Sequence, residues 1–170
     1  MDAAGLRAKQ APLKEQYRAD PDSACTPLAA CADLRDPGIT STVETWVGPV
    51  RSGLHPATGG DGSDACSGDM LLQALVACAG VTLRSVATSM GLQLRAGRLR
   101  AEGWFDVRGT LGLDRTVPVG LQDVVVTAEL DADVDDASLD RLATATERFC
   151  VVAQSLRAEV RFVVRRATSA

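Results

Sequence analysis

The chain has 170 residues, 46% of them hydrophobic and only 4% aromatic, so a single domain with an aliphatic core is the expected organisation. A formal net charge of −4 argues against a general nucleic-acid binder, which needs a basic surface. Five scattered cysteines do not form a secreted disulfide framework, and with a single histidine and no C-x-x-C pair a structural zinc site is not expected.

Residues 5–18 read as a polar amphipathic helix with a thin apolar stripe of Leu6, Leu13 and Tyr17. Pro12 is expected to shorten or kink it, and Pro21 to end it. Residues 1–20 thus form a helical extension on a domain spanning 1–170. The N-terminus carries charge throughout and lacks the apolar run of a signal peptide, which favours a cytoplasmic location. No stretch is expected to reach the ~18 apolar residues that span a bilayer.

Residues 24–34 and 39–50 read as two extended segments. Within the second, Ser41 to Val50 is rich in β-branched and aromatic residues and is expected to be one strand. Residues 52–68 form a glycine-rich loop. It has neither the Gly-Lys-Ser/Thr of a P-loop nor the strand–GxGxxG–helix order of a dinucleotide site.

The clearest helix covers 68–90, with Ser67 as N-cap, Asp69 placing negative charge on the helix start, and Gly91 closing it. Apolar residues fall nearly all round it, so burial in the middle of the fold is expected. Residues 92–108 read as a long half-buried strand, 109–118 as a connector and 121–132 as a second strand. A second helix over 136–149 starts at Asp135 or Asp136 and carries Leu139, Leu142, Ala143, Thr146, Phe149 and then Cys150 on its apolar face. The last strand is 158–166. Arginines gather at Arg95, Arg98 and Arg100 and again at Arg161, Arg165 and Arg166, a pattern that solvated strand faces explain.

Two cysteines occupy apolar helical positions. At ~100° per residue, Leu71, Leu75, Cys78 and Thr82 share one face of their helix. Cys150 ends the apolar face of the other, so packing of the two helices would bring the sulfurs together. A free cysteine on such a face commonly packs as a small hydrophobe. Reactivity needs a cation, a helix N-terminus or a hydrogen bond to favour the thiolate. Arg148 and Arg84 are candidate cations, although periodicity puts Arg84 off the Cys78 face.

The run Ala65-Cys66-Ser67-Gly68-Asp69-Met70-Leu71-Leu72-Gln73-Ala74-Leu75-Val76-Ala77-Cys78-Ala79-Gly80 resembles the helix of the OsmC/Ohr family that carries the peroxidatic cysteine. The stretch from Arg108 to Gly120 resembles the family's inter-strand connector. The segment Ala145-Thr146-Glu147-Arg148-Phe149-Cys150-Val151-Val152 resembles the one that holds its second cysteine. The likeness covers roughly residues 40–166.

It implies an α+β, OsmC-like fold of curved antiparallel sheets around two long central helices, in an intertwined homodimer with active sites at the interface. It further implies a thiol peroxidase that takes a small organic hydroperoxide and a thiol reductant and uses neither metal nor organic cofactor. Cys78 would be the nucleophile and Cys150 the resolving thiol. Peroxidase members usually carry Pro-Glu ahead of the helix, where this chain has Gly68-Asp69. Asp69 either takes the glutamate's place or only caps the helix. Arg51 is the nearest match for the family's arginine. Val151 stands where proline often follows the second cysteine. These departures point to the OsmC-like branch. Two rival readings are a non-catalytic protein binding a small apolar ligand at the dimer interface and a redox-regulated scaffold. Cys25, Cys31 and Cys66 match no family role.

Overall fold

The structure is a computed structural model and describes residues 1–167. Helix α1 (Ala3–Ala19) starts where the Asp2 carboxylate accepts the Gly5 N–H at 2.8 Å. It runs through Pro12 instead of being shortened there. Ala8, whose carbonyl Pro12 leaves unpaired, is exposed, so water can satisfy it. Pro21 then opens a 3₁₀ turn, Pro21–Ala24.

Four short strands follow: β1 (Ala32–Asp33), β2 (Thr40–Thr45), β3 (Gly48–Gly53) and β4 (Ala65–Cys66), which pair in that order. The segment expected as one strand from Ser41 to Val50 is therefore a hairpin. Thr45 pairs with Gly48, leaving Trp46 and Val47 as the turn. The Thr45 hydroxyl donates to the Gly48 carbonyl at 2.6 Å, and Gly48 has φ +125, a backbone region that favours glycine. Extended propensity is alike on both sides of Trp46-Val47, so the reversal is visible only through Gly48-Pro49.

Helix α2 (Ser67–Ser89) follows β4 directly. Its cap position is Cys66; Ser67, expected as the cap, is the first helical residue. At the other end the Leu92 N–H bonds to the Ala87 carbonyl at 2.9 Å and the Gly91 N–H to Thr88 at 3.1 Å. This is a Schellman closure, permitted by φ +73 at Gly91. Contrary to expectation, α2 is long and apolar enough to cross a membrane. Its Leu75, Ala79, Leu83 and Ala87 are buried inside the fold instead, as one stripe rather than all round.

Beyond α2 come β5 (Leu94–Trp104), the short helix α3 (Val107–Thr110), β6 (Gln122–Ala132), α4 (Asp136–Phe149), α5 (Val151–Ser155) and β7 (Val160–Arg166). Where the strand pattern was read on to residue 108, the Asp106 carboxylate accepts the Arg108 N–H at 2.9 Å and starts α3. Strands β5, β6 and β7 form the second sheet, with β5–β6 antiparallel and β6–β7 parallel. The parallel pair is joined by α4 and α5, as a crossover connection requires. Register shifts at Leu94/Ala96 and Glu102/Trp104 break the regular β5–β6 pairing near both ends of β5.

The architecture is α+β, with α2 and α4 lying on the second sheet. One buried cluster gathers Leu75, Ala79, Val124, Val126, Cys150, Ala153 and Val160. A second gathers Leu83, Ala87, Ala128, Leu130, Ala132, Leu139 and Leu142. Phe149, expected on the buried face of α4, is 61% exposed, with the Arg148 guanidinium 5.8 Å from its ring centre.

Candidate functional site

Asp135 starts α4 by accepting the Ser138 N–H at 2.6 Å, and α4 closes where the Cys150 N–H bonds to the Thr146 carbonyl at 3.0 Å. Cys150 itself is extended, with ψ 103, and its own carbonyl accepts the Gln154 N–H at 3.0 Å to open α5. One residue thus ends one helix and caps the next. The first N–H groups of a helix have no partner within it. In α5 those of Val151 and Val152 lie near enough to the Cys78 sulfur to favour its charged form.

Cys78 is half-buried on α2 and packs against the cluster that holds Cys150, whose own exposure is 0%. Both thiols are free. Burial pushes the Cys78 thiol up. The Val152 N–H, the Cys150 thiol, the Thr82 hydroxyl and the Val151 N–H outweigh it and hold Cys78 below the ordinary cysteine value. Cys150 moves the other way: burial raises it, the Ala153 N–H lowers it, and the neighbouring Cys78 raises it further. Cys78 is therefore the more readily ionised of the two thiols, as a nucleophile facing a second thiol would be.

The other expected residues stand apart from this pair. Asp69 is exposed in the first turn of α2. It lies nine positions before Cys78, which at ~100° per residue is the opposite face of the helix. Arg51 sits on β3 with its Nε 2.5 Å from Asp64 Oδ1, and that carboxylate raises the guanidinium further. None of the principal groups acting on Cys78 is a guanidinium. Arg84 is exposed, and Arg148 lies over Phe149. Cys25 and Cys31 are exposed, and Cys66 is half-buried at the α2 cap. Among the described residues, no three His, Cys, Asp or Glu side chains gather as metal ligands would.

Sequence reading missed the backbone donors of α5. The only hint was the abrupt change of face between Phe149 and Cys150. A cavity of about 700 Å³ opens elsewhere on the second sheet's side of the molecule; neither cysteine lines it, but its Leu121, Leu156 and Ala158 pack against the buried cluster to which Cys150 belongs.

The fold is mixed α+β, with Cys78 on its long central helix packed against the cluster that holds Cys150 at the end of α4. The chain belongs to the OsmC-like protein family, whose model matches residues 60–165. Solved structures agree at the level of the fold. An OsmC-like protein of Mycoplasma pneumoniae superposes with TM-score 0.68 at 14% identity, covering 84% of this chain and 99% of that one. An OsmC-like protein of unknown function from Vibrio cholerae gives 0.67 at 12%, covering 82% and 99%. An organic hydroperoxide resistance protein OsmC from Legionella pneumophila gives 0.65 at 16%, covering 85% and 100%. No curated protein matches the sequence significantly.

Proposed function

We propose that this protein is a cytoplasmic, homodimeric thiol peroxidase that reduces organic hydroperoxides through Cys78 and Cys150. The observation that carries the reading is the packing of Cys78 against the buried cluster that holds Cys150, at the start of α5, whose backbone N–H groups hold Cys78 down while burial pushes Cys150 up.

In the proposed cycle the Cys78 thiolate attacks the outer peroxide oxygen and the O–O bond breaks. The sulfur becomes a sulfenic acid, and the alkoxide takes a proton to leave as an alcohol. The Cys150 sulfur then displaces hydroxide from the sulfenic sulfur, forming the disulfide and water. A dithiol reductant restores both thiols by exchange. The apolar cluster against which Cys78 packs favours an organic peroxide over hydrogen peroxide.

In this reading Arg51 comes to the thiols from a second subunit and stabilises the departing oxygen, while Asp69 acts at the helix start. Peroxide consumption with a dithiol reductant tests the reading. Wild type turns over, and Cys78→Ser is dead. Cys150→Ser reacts once and then accumulates sulfenic or sulfinic acid. A wild type without turnover would leave apolar-ligand binding in the cavity as the better account.

A further inference from the structure

We propose that the cavity between the loop after β3, the start of α2 and the α3–β6 connector is a second site, separate from the Cys78–Cys150 pair, which binds a small apolar α,β-unsaturated aldehyde or ketone and fixes it covalently on Cys66. The site does not depend on the peroxidase reading.

The cavity has a volume of about 360 Å³, within the ~300–1,000 Å³ range of small-molecule sites. Leu54, Leu71, Phe105, Val119 and Leu121 form its apolar walls, drawn from the loop after β3, from α2, from just beyond β5 and from the connector before β6. Among the described residues, no Asp, Glu, Lys or Arg lines it. Neither Cys78 nor Cys150 lines it either. Cys66 precedes Cys78 by twelve positions. At ~1.5 Å per residue that is roughly 18 Å along the helix.

Two groups in these walls carry chemistry, the thiol of Cys66 and the imidazole of His55, the chain's single histidine. Cys66 is the cap residue of α2, but its side chain makes no capping bond, and the thiol is free and half-buried. Gly68, also in the wall, has no side chain to cover the sulfur; a Cβ there would stand 3.6 Å from Cys66 Sγ.

His55 is fixed in place before any ligand arrives. Its Nδ1 accepts the Ala57 N–H at 3.0 Å, which leaves Nε2 as the donating nitrogen. Its carbonyl accepts the Thr58 N–H at 2.8 Å and the Gly60 N–H at 3.2 Å. The ring stands edge-on to Phe105, with centroids 5.6 Å apart. Gly60 locks the loop, because a Cβ there would lie 1.8 Å from the Leu54 carbonyl oxygen.

Apolar walls suit a hydrocarbon tail, an imidazole N–H suits a carbonyl oxygen, and a thiol suits the soft carbon conjugated to that carbonyl. In the proposed step the Cys66 sulfur bonds to the β-carbon as the C=C π bond breaks. The electron pair moves onto the carbonyl oxygen, where the Nε2–H of His55 stabilises the enolate. The proton of the thiol ends on the α-carbon. The addition is redox-neutral and needs no further reactant.

The test treats the whole chain with (E)-non-2-enal and follows each cysteine by peptide mass mapping. Exposed Cys25 and Cys31 serve as internal controls. Cys66 is expected to react at least about tenfold faster than either, since burial of the tail holds the probe beside it. Its rate should saturate with probe concentration, because binding precedes bond formation. Iodoacetamide, which has no apolar tail, should show no such preference. His55→Phe keeps an aromatic ring against Phe105 and removes the N–H; it should slow Cys66 by about tenfold and leave Cys25 and Cys31 unchanged. Cys66 labelling that is no faster than the exposed cysteines, that rises linearly without saturation, or that is equally favoured with iodoacetamide would overturn the site. Full-speed labelling of Cys66 in His55→Phe would overturn the carbonyl contact. The comparison of cysteines and probes needs only the wild-type chain, so it stands even where the variant fails to fold.

Discussion

Removing a proton from one of two neighbouring thiols makes removal of the second harder, so their surroundings decide which ionises first. Here the α5 N–H groups and the Thr82 hydroxyl favour Cys78, while Cys150 is enclosed. The Cys78 thiolate fraction therefore rises through a value below that of a free cysteine. Alkylation of Cys78 followed against pH has its midpoint on that lower side. Thr82→Val removes one donor to the charged form. It moves the midpoint to higher pH and slows alkylation near neutrality by about tenfold, since a hydrogen bond to a charged group contributes ~1.5 kcal/mol. A midpoint unchanged by Thr82→Val would show that the hydroxyl does not hold the thiolate. The shared face of Cys78 and Thr82 was legible from helical spacing. The donors Val151 and Val152 were not, because they act through backbone groups that any residue possesses.

At the scale of elements, α2 is held by a stripe and not by its whole circumference. Leu75 has 0% exposure and lies in the same cluster as Cys150. Leu75→Ala removes buried methyl groups from a packed site and is expected to cost about 2–5 kcal/mol, read as a lower denaturation midpoint. A loss well under 1 kcal/mol would mean that α2 does not pack on this cluster. The hairpin at Trp46-Val47 and the break at Cys150 share a cause. In each, local preferences continue unchanged across a point where the chain reverses or restarts. Caps behaved differently. Asp135 and Gly91 mark helix ends through their own side-chain or backbone chemistry, and both were readable in advance.

At the scale of the whole molecule, the first sheet and the outer side of α2 are left exposed among the described residues. No residue of β1 to β4 is fully buried, and the hairpin tip carries Trp46 at 97% exposure. On α2, Val81 is 73% exposed although the helix is apolar. In the proposed dimer a second subunit covers both surfaces. Sedimentation should give twice the chain mass for wild type, and Val81→Glu should weaken self-association by at least about tenfold, because burying an unpaired carboxylate is costly. A monomeric wild type at micromolar concentration would remove the dimer, and with it the route by which Arg51 reaches the thiols.

The sequence by itself determined the order α2, β5, β6, α4 and β7 without the short helices α3 and α5, the caps of α2 and α4 to within a residue, and the placing of Cys78 within one helix and Cys150 at the end of the other. These follow from periodicity and capping, which depend on neighbours a few positions away. Tertiary structure alone decided that α5 turns its free N–H groups toward Cys78, that Trp46-Val47 reverses the chain, and that Cys66 and Phe105 line one cavity. Each of these joins groups distant in the chain, and such encounters are set by how helices seat on a sheet, a geometry that local spacing does not encode.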